Sequence, residues 1–243
     1  MYISKKIIII FLIYFLNINL TYSQSLELRE SLKNTKTLYK EGKLNEAIKS
    51  AINAIQYSNN DFGENHYYTA TLIENLGIIQ YELLLYEDAK KSFLQSLEIR
   101  KITLDPDHTD IAEALNYIAL TNRKLLLYNT AINYHNEALL VMSRSLTKSN
   151  PHAMNEKSRK GAIFKASALH TKALIEIKNK NFNDAIGLLK TSSKIFYNTL
   201  GKDKSQLLEI YEELIKLALS INDQDLVNQA KQKIKNLNKK ILI

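Results

Sequence analysis

From Leu83 to Phe93 the chain reads LLLYEDAKKSF, and from Leu125 to His135 it reads LLLYNTAINYH. The two stretches align on Ala89 and Ala131, 42 residues apart, and one more step back falls on Ala47 in GKLNEAIKSAINA. His66 of GENHYYTA and His108 of PDHTDIA keep the same interval, so the period runs through the connecting segments too. A fixed period of this kind restricts the chain to a repeat architecture, because each copied unit buries its apolar face only against the next one.

Within each copy the apolar residues follow helical spacing. Ile73, Leu76, Gly77 and Gln80 or Tyr81 form one stripe, and Tyr86, Ala89, Phe93 and Ser96 form a second, which predicts two helices per copy. With 6 Gly and 2 Pro in 243 residues, turns for many short strands are lacking, and an all-α fold follows. Small residues mark the places where helices cross: Gly77 and Ala119 on first helices, Ala47, Ala89 and Ala131 on second ones. Phe93 and His135 take the same slot in successive copies, Tyr86 and Tyr128 open the second helices, and Pro106 and Pro151 fall between copies.

Leu76-Gly77, Tyr86, Ala89 and Phe93 resemble, in order and spacing, the tetratricopeptide repeat (TPR). The long period, with LEIRKITLDPDH from Leu97 to His108 and LNYIAL from Leu115 to Leu120, is similar to the variety in kinesin light chains and many bacterial repeat proteins. The resemblance implies a right-handed superhelical solenoid of antiparallel helix pairs with about five repeats, at 26–60, 61–103, 104–146, 162–200 and 205–243. In the fourth, NFNDAIGLL supplies Phe182 and Ala185 after Leu169 and Ala173. Ala185 follows Ala131 by 54 residues, which predicts a 12-residue insertion within LTKSNPHAMNEKSRKG, as an extended loop or longer helices. In the fifth, LIKLALSINDQDLVNQAKQKI places Leu214, Ala218, Val227, Ala230 and Ile234, with Ala230 set 45 residues after Ala185, as a capping copy with a polar outer face.

Residues 1–23 read as a secretory signal peptide: Lys5 and Lys6, an apolar run from Ile7 to Leu16, then the small Thr21 and Ser23. Cleavage after Ser23 leaves Gln24 first and 24–243 as the repeat domain. The rival reading is an uncleaved anchor, although Asn17 and Asn19 interrupt the run short of the ~20 residues that span a bilayer. The expectation is an exported protein, periplasmic or extracellular and associated with the cell envelope, without stable membrane insertion after cleavage. The chain has no Cys, so disulfides and thiol catalysis are excluded. Its formal charge of +8 falls to +6 without Lys5 and Lys6, a mild surplus spread over many helices.

The sequence lacks HExxH, GxSxG, GxxxxGK[ST] and GxGxxG, and GKDKS at Gly201 has neither the first glycine nor the preceding strand of a phosphate loop. No cofactor, metal or enzyme activity is expected. Of the five histidines, His66 and His108 sit one repeat apart and His135 in a core slot. Glu87-Asp88 and Glu212-Glu213 are neighbours pointing about 100° apart on helices, unlike an acid and base converging on one bond. Lys178, Lys180 and the C-terminal lysines carry no interleaved aromatics, so nucleic acid is not an expected partner.

What the resemblance implies instead is a concave groove lined by first helices that holds a peptide or a helix of a protein partner. By register its residues are Thr71, Glu74, Ile78 and Tyr81 in the second copy, Glu113, Asn116, Leu120 and Arg123 in the third, and Ser167, His170 and Leu174 in the fourth. Asn116 and Arg123 match part of the family's carboxylate-clamping pattern, but Glu74 would oppose an acidic ligand, so that specificity is not expected. The function expected is that of a stand-alone adaptor or scaffold. The alternative is a regulatory subunit that changes the activity of a separately encoded sensor or enzyme.

Overall fold

The structure, a computed structural model, describes residues 24–147, 151–199 and 205–239, and every regular element among them is an α-helix. The helices are α1 (Leu26–Lys40), α2 (Leu44–Phe62), α3 (Tyr67–Glu82), α4 (Tyr86–Thr103), α5 (Thr109–Lys124), α6 (Tyr128–Thr147), α7 (Pro151–Lys178), α8 (Phe182–Thr199), α9 (Ser205–Ser220) and α10 (Gln224–Lys239). They pair in succession and fall into two compact units, α1–α6 and α7–α10. The expected signal peptide, residues 1–23, lies outside the described residues.

Each pair closes on the same turn. Gly42, Leu84, Leu126, Lys180 and Asn222 all have φ between 57° and 74°, in the left-handed region. In each turn this residue's N–H bonds back to the third carbonyl before it and the next N–H to the fifth: Leu84 to Tyr81 at 3.0 Å and Leu85 to Gln80 at 2.9 Å, repeated by Leu126 to Arg123 and Leu127 to Asn122. This pair of hydrogen bonds satisfies the last carbonyls of the first helix and reverses the chain in a minimum of residues. The turns recur every 42 residues except between Leu126 and Lys180, where the step is 54. From Lys180 to Asn222 the step is 42 again, so Val227, five residues after its turn as Ala185 is after Lys180, holds the alanine position of the last copy. Ala230 lies one helical turn further along α10.

The 12 extra residues of the fourth copy are helical. α7 has 28 residues where α3, α5 and α9 have 16 each.

Close approach within pairs depends on two small positions of the second helix. Ala47, Ala89, Ala131 and Ala185 are wholly buried. Seven residues on stand Ala54, Ser96, Ala138 and Ser192, buried too, and the two serines spend their hydroxyls on the first helix: Ser96 Oγ donates to the Ala70 carbonyl at 2.8 Å, Ser192 Oγ to that of Ala166 at 2.7 Å. The first helix contributes Gly77, where an added Cβ would stand 2.7 Å from the Phe93 ring. Phe93 is thereby pressed between α3 and α5, stacked on Tyr117 with centroids 5.0 Å apart.

Copies are tied to one another by tyrosine hydroxyls. Tyr39 donates to Glu82 Oε1 at 2.5 Å and Tyr67 to Asp110 Oδ2 at 2.6 Å, each reaching 43 residues along the chain. Each unit has its own apolar interior: Leu189, Phe196, Leu207 and Ile210 among others in α7–α10, and clusters around Leu28, Tyr39, Leu76 and Ile79 in α1–α4.

Candidate partner-binding surface

The two repeat-equivalent histidines cap first helices. Nδ1 of His66 accepts from the Tyr68 N–H at 3.1 Å, and Nδ1 of His108 from that of Asp110 at 3.2 Å, so each satisfies an N–H that the helix leaves without a partner. These caps fix where α3 and α5 begin, and therefore which side chains share a face.

The eleven expected groove residues divide by burial. Ile78 and Tyr81 on α3, Leu120 on α5 and Leu174 on α7 are half-buried, within reach of a partner. Thr71, Glu74, Glu113, Asn116, Arg123, Ser167 and His170 are buried. Ser167, His170 and Leu174 belong to the α7–α10 unit, the other eight to α1–α6.

Glu74 shows why. Its carboxylate takes both arms of the Arg100 guanidinium: Nη1 bonds Oε2, and Nη2 bonds Oε1 at 3.1 Å, while Nη1 also donates to the Asp110 carbonyl at 3.0 Å. Arg100 is 1% exposed and Glu74 3%. Burial raises the Glu74 carboxyl above its ordinary range; Arg100 pulls it back, and Glu113 and Asp110 add to the rise. This fork joins α3, α4 and α5, so Glu74 acts as a strut between copies.

Arg100 is the residue that sequence reasoning missed. It stands seven positions after Phe93 on the buried stripe of α4, and a guanidinium there requires a buried acid. The repeat-equivalent residues, Ser58 and Met142, carry no such charge.

Two further polar groups stand out. Asn116 is buried and its Oδ1 has no hydrogen-bond partner among the described residues; the same holds for both ring nitrogens of His135. Burial, with Arg123 nearby, lowers the His135 imidazole to about 3, so the ring is neutral. Among the described residues no group of His, Asp and Glu is arranged to hold a metal ion, and no helix is long and apolar enough to cross a membrane.

Residues 36–102 match the family model of the tetratricopeptide repeat. Mouse (Mus musculus) nephrocystin-3 is 41% identical over 64 residues, 26% of this chain, which spans only 5% of that relative's length. Two solved structures share the fold at low identity. One holds nearly identical kinesin-light-chain TPR-like repeats from Podosopora anserina: TM-score 0.52, 14% identity, covering 88% of this chain and 96% of that one. The other is MamA 41-end from Desulfovibrio magneticus RS-1: TM-score 0.54, 12% identity, covering 89% and 98%. Residues 36–102 are therefore tetratricopeptide repeats by sequence, and the helix pairs of the chain as a whole have the TPR-like fold.

Proposed function

We propose that the protein is a non-enzymatic adaptor, exported from the cytoplasm, that captures an extended segment or helix of a partner protein along its first helices. The observation that carries this reading is the pair Ile78 and Leu120, one repeat apart and both half-buried, with the half-buried Tyr81 three residues beyond Ile78 on α3. Apolar side chains of a bound segment rest on Ile78, Leu120 and Tyr81, which keep part of their surface in water. Export rests on Lys5, Lys6, the Ile7–Leu16 run and the small Thr21 and Ser23.

A photo-reactive side chain at Leu120 should cross-link the partner in the envelope fraction, where mass spectrometry identifies it. Tyr81→Ala with Leu120→Ala should weaken its capture at least tenfold, about 1.4 kcal/mol, and Lys90→Glu on a second helix should not. Arg123, 5% exposed, is unsuitable for this purpose, since a change there disturbs packing as well as binding. Equal capture by the double variant overturns the groove reading. Intact mass should show a chain beginning at Gln24; a species retaining Met1 overturns the cleaved-leader reading.

A further inference from the structure

The α7–α10 unit carries a cleft of about 730 Å³ that contains none of the expected groove residues. Its walls are second helices, α8 on one side and α10 on the other, and α9 contributes part of the floor. The floor is apolar, with Leu214, Leu226 and Leu237 all buried. The lips are cationic: Lys190 and Lys194 on α8 and Lys233 on α10 are exposed, no acidic side chain lines the cleft, and none of the three lysines is in an ion pair among the described residues.

The lining residues repeat at helical spacing. On α10 they follow 226, 230, 233 and 237, a stripe of about 16 Å, and on α8 they follow 190, 194 and 197, about 10 Å. Two such stripes over an apolar floor make a trough open to water at its lips, where Tyr197 is 50% exposed. A small amphiphile would leave much of its surface wet there, unlike ligands in enclosed pockets. A helix of about three turns offers apolar side chains at the matching interval and acids on both flanks for the lysines.

We infer that this cleft docks an acidic amphipathic helix of a partner protein, through residues other than the expected groove residues. The lysines steer the helix and fix its direction, and the leucine floor holds its apolar stripe.

The test uses the full-length protein and a fluorescein-labelled peptide of about four turns, with Leu at i, i+3, i+4 and i+7 and Glu elsewhere, followed by anisotropy. Binding should be saturable, and a scrambled peptide of the same composition should bind at least tenfold more weakly. Lys190→Glu with Lys194→Glu and Lys233→Glu, all exposed, should lose at least tenfold with circular dichroism unchanged. The same charge change at Lys33, Lys40 and Lys49 should leave affinity within twofold. Equal binding of the scrambled peptide, or equal loss in the control variant, shows unspecific charge attraction and overturns the proposal. So does unchanged affinity in the cleft variant. Lysine-dependent binding of decanoate in place of the peptide also overturns it, by assigning the cleft to a small anionic amphiphile.

Discussion

At the scale of single residues, the second and third copies solve one packing problem in two ways. Gly77 leaves room for the Phe93 ring, whereas the equivalent positions of the next copy hold Ala119 and the smaller ring of His135, both fully buried. Gly77→Ala gains up to ~1 kcal/mol of helix propensity but forces the stacked Phe93 to move, so a net loss of about 1–2 kcal/mol is expected on thermal melting. Adding Phe93→His should recover part of it, a coupling of ~0.5–3 kcal/mol in a double-mutant cycle. Conversely, Ala119→Gly with His135→Phe should raise stability, because it replaces two unsatisfied ring nitrogens with carbon.

That double variant should also change the response to acid. The folded imidazole titrates at about 3 and the unfolded one near 6.5. Between those values the unfolded chain binds the proton and the folded chain does not, so stability falls as pH drops, by up to ~1.4 kcal/mol per unit. In the variant this part of the slope should be absent when urea midpoints are compared from pH 6.5 downwards. Identical slopes would show that His135 is not held neutral.

At the scale of elements, the left-handed turn sets the register of every pair, and only the first copy uses glycine for it. Leu84 and Leu126 adopt φ of 62° and 61° with side chains 68% and 69% exposed, so they accept backbone strain without gaining burial. Leu84→Gly and Leu126→Gly should each stabilise by ~0.5–1 kcal/mol, strain relief less the added freedom of the unfolded chain, and differential scanning calorimetry reads the sum. A lower melting temperature would mean that the exposed leucines make contacts that matter to the fold.

These same turns show what could be read from the sequence. Alanine spacing found the first four pairs because Ala47, Ala89, Ala131 and Ala185 are all kept. In the last pair it took Ala230 for the repeat alanine, whereas Val227, three residues earlier, fills that position. The candidate surface was less legible. Polarity on a first helix suggests water, yet Glu74 is covered by Arg100, which the repeat motif does not include. No local pattern tells a solvated acid from a buried strut when its partner is 26 residues away.

At the scale of the whole molecule, the two units have separate interiors, and repeat arrays lose structure copy by copy. Ala185→Leu overpacks the α7–α8 crossing at a cost of ~1–3 kcal/mol. Hydrogen exchange followed by mass spectrometry should quicken first in α7–α10, with peptides of α1–α4 close to wild type. Uniform acceleration along the chain would reveal one cooperative molecule.

The tyrosine ties between copies give the protein an optical property. It has 14 Tyr and no Trp, so its near-ultraviolet signal is phenolic. Burial, followed by the charge of the bonded acids, raises the hydroxyls of Tyr39 and Tyr67, and burial, partly offset by Gln24, lifts Tyr68 to about 12. Exposed phenols turn to phenolate near pH 10, while those that strap copies together stay protonated until the straps part. Alkaline titration therefore separates the tyrosines into an early class and a late one, and the late absorbance change is an intrinsic gauge of buried phenols, the straps between copies among them, becoming exposed.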